Sequence, residues 1–138
     1  AYEDTFYVGS KILDVGAGYN RFLKGFADRH PDQDAELVGT DVIDYQEEDP
    51  RVRFIHQTTH RLPVDEIGRG TVTAARVSSV IHHIHPEAQD PHSPEAREKV
   101  LTFLRDLYDV LAPAGQVVIY EDSYPELDIF PLKQQRVA

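Results

Sequence analysis

Apolar residues in this chain gather into short continuous runs, each closed by a glycine, proline or acid: Ile12-Leu13 before Asp14, Leu37-Val38 before Gly39, and Val117-Val118-Ile119 before Tyr120-Glu121. Runs of this length read as strands buried on both faces rather than as half-exposed strands with alternating polarity. They predict strands near 11–15, 36–41, 52–56, 72–81 and 116–121. Helical spacing fills two of the gaps, near 20–29 and 94–111. The second helix opens at Ser93-Pro94, a capping residue followed by proline at the first helical position, and carries Val100, Leu104, Leu107 and Leu111 on one face. Pro113 and Gly115 close it. The alternation implies parallel βαβ units with helices on both faces of one sheet. The stretches after Asp41 and around Leu62-Pro-Val-Asp-Glu-Ile are too short for full crossover helices and predict a single turn or a loop.

The first strand carries the most chemistry. Lys11-Ile-Leu-Asp-Val-Gly-Ala-Gly-Tyr-Asn runs from an apolar strand through Asp14, Gly16 and Gly18 into a helix. Glycines there allow a tight turn and a close approach of backbone to ligand, and the following helix start offers unpaired amides. Asn20 stands where a third small residue would complete a dinucleotide fingerprint, so a dinucleotide pyrophosphate is disfavoured. The second strand ends in Asp41, about twenty residues past the glycines, where a ribose-binding acid belongs.

These segments resemble the class I S-adenosylmethionine-dependent methyltransferases over almost the whole chain. Ile12-Leu-Asp-Val-Gly-Ala-Gly is similar to their first motif, and Val38-Gly-Thr-Asp41 to their second strand with its terminal acid. Val52-Arg-Phe-Ile-His-Gln-Thr58-Thr-His-Arg-Leu-Pro-Val resembles the third strand and its loop. Val77-Ser-Ser-Val-Ile-His-His-Ile resembles the fourth, and Leu111-Ala-Pro-Ala-Gly115-Gln-Val-Val-Ile-Tyr-Glu-Asp the proline-glycine turn into the fifth. The resemblance implies a single α/β domain over 1–138: a Rossmann-like three-layer α/β/α sandwich with a mostly parallel sheet of about five strands, lacking the usual C-terminal strand pair. It implies S-adenosyl-L-methionine as cofactor, held by Asp14, Gly16, Ala17, Gly18, Asp41, Val42, Thr58 and Ser78. Its site lies at the carboxyl ends of the strands, with His82 and His83 as candidate catalytic residues and Glu121 and Asp122 nearby.

Three positions depart from the family pattern. Thr58 and Thr73 stand where acids are usual, in the third-strand loop and at the start of the fourth strand. Arg76 falls inside that fourth strand, where a cation must reach an end or be salt-bridged. With little chain left after the fifth strand, that strand predicts an exposed edge open to self-association.

Composition narrows the partners. A length of 138 residues with 41% hydrophobic content suits one globular core, and no apolar run approaches the ~20 residues of a membrane span. The chain begins at Ala1 with no signal-peptide pattern, which leaves the cytoplasm as the default location. It has no cysteine, which excludes disulfides and a thiol nucleophile. A formal charge of −10 argues against a nucleic-acid surface, and the resemblance at His82-His83 implies a small-molecule substrate. His82, His83, His85 and His92, or His56 with His60, could supply imidazoles, but their spacing matches no metal motif, and no metal is expected. The reading that follows is methyl transfer from S-adenosylmethionine to a small molecule. Its alternative is a methyltransferase-like module that no longer catalyses and serves binding or assembly.

Overall fold

The computed structural model describes residues 10–43, 48–57, 59–78, 80 and 93–120. The elements in chain order are β1 (Lys11–Val15), α1 (Arg21–Arg29), β2 (Glu36–Asp41), β3 (Val52–His56), α2 (Val64–Ile67), β4 (Val72–Ser78), α3 (Pro94–Val110) and β5 (Leu111–Tyr120). All five strands pair in parallel in the order β3-β2-β1-β4-β5. This is the Rossmann-like α/β arrangement, with the described sheet wholly parallel rather than mostly so. The switch point lies between β1 and β4, where the strand order reverses direction.

The period of two along each strand sorts the core into two layers. Leu13, Val15, Val38, Ala75 and Val77 face α2 and α3, packing on Val64, Ile67, Val100, Phe103, Leu107 and Val110. Ile12, Leu37, Ala74 and Val118 face α1 and meet Leu23, Phe26 and Ala27. Helices on both faces give the three-layer sandwich. The short segment before β4 folds as one turn, α2.

Two boundaries differ from expectation for local reasons. α3 ends at Val110, and its buried stripe runs through Ala96, Val100, Phe103, Leu107 and Val110, so Leu104 borders the core and Leu111 already belongs to β5. The expected turn at Pro113-Ala114-Gly115 is a bulge inside β5: Val72 pairs with Leu111 and Ala74 with Gln116, with Ala114 at φ 60° between them. β4 ends at Ser78, short of the expected boundary at 81. Among the described residues, no helix is long and apolar enough to cross a membrane.

Candidate functional site

The carboxyl ends of β1, β2 and β4 converge on the turn after β1. Gly16 turns the chain at φ 79°, and a Cβ there would lie 2.5 Å from the Ser78 carbonyl oxygen and 2.6 Å from Val80 Cγ2. β4 therefore presses directly on this turn, and Ser78, an expected ligand residue, reaches it through its backbone. The amides of Gly16 and Ala17 both donate to the Thr40 carbonyl, at 2.9 and 3.0 Å. The Gly18 amide donates to Asp41 Oδ2 at 2.7 Å. Three successive amides thus fasten the turn to the end of β2, and none of the three is aimed at an anion in the manner of a pyrophosphate-binding loop.

Gly18 differs from Gly16 in one respect that matters for a ligand. Its φ is +56°, yet no atom lies within 4 Å of the place a Cβ would take. The backbone there borders open space. Beside it stands Asp41, whose Oδ1 accepts from the Ile43 amide at 3.0 Å while Oδ2 holds Gly18. Each carboxylate oxygen keeps a second lone-pair direction for another donor. Val42, the next residue, is 62% exposed, an apolar side chain held in solvent at the mouth of the turn, with its carbonyl 3.1 Å from His56 Nε2.

Asn20 precedes α1 in the left-handed region, φ 63°, and makes no side-chain cap. Its amide is buried instead over β2, where a Cβ on Gly39 would meet Asn20 Oδ1 and come within 3.1 Å of Ala17 Cβ. The room that a third glycine provides on the helix side is provided here from the strand side. Sequence reasoning missed Gly39, although a lone glycine inside a strand is a known sign of close approach by a neighbouring backbone or side chain.

Asp14 is fully buried at the register position beside Arg76 of β4. Arg76 Nη1 donates to Asp14 Oδ1 at 3.0 Å, so of the two resolutions open to a cation in this strand the salt bridge is the one adopted. Asp14 Oδ2 has no hydrogen-bond partner. Burial, opposed by the Arg76 charge and hydrogen bond and reinforced weakly by Asp41, pushes the Asp14 carboxyl up to about 6.

Thr73 belongs elsewhere. Its hydroxyl donates to the Lys11 carbonyl at 2.9 Å and accepts from the Lys11 amide at 3.3 Å, at the amino end of the sheet. The departure at this position therefore does not touch the carboxyl edge. Thr58, His82, His83, Glu121 and Asp122 lie outside the described residues, as do His85 and His92. Among the described residues, no three His, Asp or Glu side chains come together as metal ligands do.

The loop after β3 is braced from below. Arg61 holds Asp106 of α3 in a two-pronged ion pair, Nε to Oδ2 at 2.8 Å and Nη2 to Oδ1 at 3.0 Å, and the Leu62 amide donates to Oδ2 at 3.1 Å. A groove of about 350 Å³ lies on the outer face of α3 along Leu101, Leu104, Arg105, Tyr108 and Asp109. The Asp109 carbonyl accepts from the Gly70 amide just before β4, so the groove sits toward the amino ends of the strands, opposite the glycine turn.

No family model matches the chain, and no curated protein matches it. Solved structures do. The PH0226 protein from Pyrococcus horikoshii OT3 superposes with a TM-score of 0.63 at 18% identity, over 91% of this chain and 55% of that one. LepI in complex with SAM gives 0.59 at 13%, over 86% of this chain and 28% of that one. A protein described as a ribosomal RNA methyltransferase from Plasmodium falciparum gives 0.57 at 14%, over 86% and 71%. The fold is thus shared with these structures, one of them described as a methyltransferase, and the chain spans about half or less of the length of the first two.

Proposed function

We propose that this chain binds S-adenosylmethionine at the carboxyl edge of its sheet and transfers the methyl group to a small-molecule acceptor. The observation that carries the reading is the pairing of an open backbone at Gly18 with the anchored carboxylate of Asp41 beside it. A glycine held at positive φ against empty space, with an oriented carboxylate within reach, suits a nucleoside whose ribose diol donates to that carboxylate.

The remaining residues fit the same ligand. Val42 offers an exposed apolar surface to the edge of a purine ring, and Thr58 is assigned the hydrogen bond to the purine amino group. Gly16, Ala17 and Ser78 form the floor of the turn, and Asp14 Oδ2 is a buried acceptor for a ligand ammonium. Once bound, the sulfonium supplies an already activated methyl group. What the protein adds is alignment of donor and acceptor and, where the acceptor must lose a proton, a base; His82 and His83 are assigned that role. LepI was solved with SAM bound, which supports the ligand class. The Plasmodium falciparum structure carries the description of a ribosomal RNA methyltransferase, so the preference for a small acceptor over RNA rests on the charge of −10.

One observation favours the second reading, a module without catalysis. Asp14 is fully buried against Arg76, and a carboxylate engaged in that way contributes less to an incoming cation. Calorimetric titration with S-adenosylmethionine and S-adenosylhomocysteine separates the two. Micromolar binding lost in Asp41→Ala supports the enzyme; absence of binding at millimolar ligand overturns it.

A further inference from the structure

Arg76 sits in β4 with strands on both sides, next to Asp14 of β1 and Val118 of β5. A long cationic side chain in such a place loses hydration and must be compensated. Its pose is set from three directions. Nη1 donates to Asp14 Oδ1 at 3.0 Å, the guanidinium lies 4.5 Å from the ring centroid of Phe22 on α1, and it lies 5.8 Å from that of Tyr120 on β5. Among the described residues, two aromatic rings and a carboxylate constrain the guanidinium. Asp14, in turn, has one oxygen held and the other buried without a partner.

The pairing is one-sided, and that asymmetry is informative. Arginine–carboxylate pairs in this chain take both forms, two-pronged at Arg61–Asp106 and single at Arg69–Asp65, and what sets Asp14 apart is that its second oxygen is buried without a partner. At Asp14 a single prong fixes the rotation of the carboxylate and leaves Oδ2 available. Resting on the cofactor reading above, we propose that Arg76 is a positioning residue for the ligand site: it keeps Asp14 ionised in a buried setting and turns its second oxygen toward a cationic group of the ligand. Arg76 acts through Asp14 and does not itself touch the ligand.

Among the described residues, the charged groups acting on Asp14 are Arg76 from β4, which favours ionisation, and Asp41 from β2, which opposes it. From α1 it is Phe22 that meets the pair, through Arg76, and that ring brings no charge. Removing the guanidinium therefore leaves burial and Asp41 unopposed, and the carboxyl keeps its proton to higher pH.

The test uses the full chain as parent, Arg76→Met, Arg76→Lys and the double variant Arg76→Met with Asp14→Asn, which removes both charges together so that folding is retained if the single change proves too costly. Two readouts are needed. The Asp14 carboxyl carbon is titrated by NMR without ligand, and the affinity for S-adenosylhomocysteine is measured by calorimetry from about pH 5 to about pH 9. In Arg76→Met the Asp14 midpoint should rise by about one unit or more, and affinity at neutral pH should fall by about twofold or more and recover as pH rises. Arg76→Lys should keep a profile close to the parent, and the double variant should bind weakly with no pH dependence in this range. An unmoved Asp14 midpoint in Arg76→Met, or an unmoved pH profile of binding, overturns the assignment to Arg76 while leaving the cofactor reading intact. A parent chain that fails to bind S-adenosylhomocysteine overturns the cofactor reading, and with it the ligand half of this proposal.

Discussion

Asp41 and Gly18 are joined at 2.7 Å, carboxylate to amide, so the acid at the end of β2 both shapes the glycine turn and faces the space beside it. The two roles separate by substitution. Asp41→Ala removes the acceptor and loosens the turn, and should lower affinity for S-adenosylhomocysteine by about a hundredfold, the effect of roughly 3 kcal/mol of charge-assisted hydrogen bonding. Asp41→Asn can still accept from Gly18 and should lose only about tenfold. Calorimetry on both variants checks the order; equal losses would mean that the charge carries the whole effect and the bond to Gly18 adds nothing.

Gly16 and Gly18 should fail in different ways when changed to alanine. At 16 the new methyl meets the Ser78 carbonyl and Val80, so the fold itself is strained and the midpoint of urea unfolding drops. At 18 the methyl enters open space, and the backbone strain of a left-handed alanine is only about 1–2 kcal/mol. Gly18→Ala should therefore keep most of its stability while losing ligand affinity, measured side by side by urea titration and calorimetry.

Stability should depend on pH through Asp14. Its folded-state carboxyl is raised from the ordinary 3.8 to about 6, so between those values the folded chain binds more protons than the unfolded one. Stability is then greatest below about pH 4 with respect to this group and declines as pH rises toward 6, by at most about 3 kcal/mol. Urea unfolding at several pH values should show this slope and its disappearance in Asp14→Asn. A slope of the opposite sign that vanishes in the same variant would show that Arg76 outweighs burial.

Asp106 should matter more than its partner. It is buried and receives three hydrogen bonds, so Asp106→Ala strands the Leu62 amide and should cost about 2–3 kcal/mol. Arg61 is more than half exposed, and Arg61→Ala should cost less because water screens the lost pair. Equal costs measured by denaturation would mean that the Leu62 bond is unimportant.

The parts of this fold legible in the sequence are those fixed by local chemistry. Ser93 does cap α3, its hydroxyl accepting from the Ala96 amide at 3.1 Å, and the apolar runs at 12–15 and 37–38 do form the central strands. The bond from Gly18 to Asp41, 23 positions apart, brings two of the expected ligand residues together. What could not be read were relations set by strand register. The sequence offers no means of knowing that Thr73 lies beside Lys11, at the wrong end of the sheet to affect a ligand, or that Arg76 lies beside Asp14. The turn at Pro113-Gly115 was visible, but its absorption into β5 depends on Leu111 finding Val72, a contact between distant segments.

The Gly39–Asn20 contact turns a familiar glycine fingerprint into a shared volume limit. What the fold requires is not a small residue at position 20 but enough combined space at 20 and 39 for α1 to settle on β2. A Cβ at 39 would force the asparagine side chain at 20 to shift, and glycine at 39 leaves it room. A side chain at 39 should therefore be borne better beside glycine at 20 than beside asparagine.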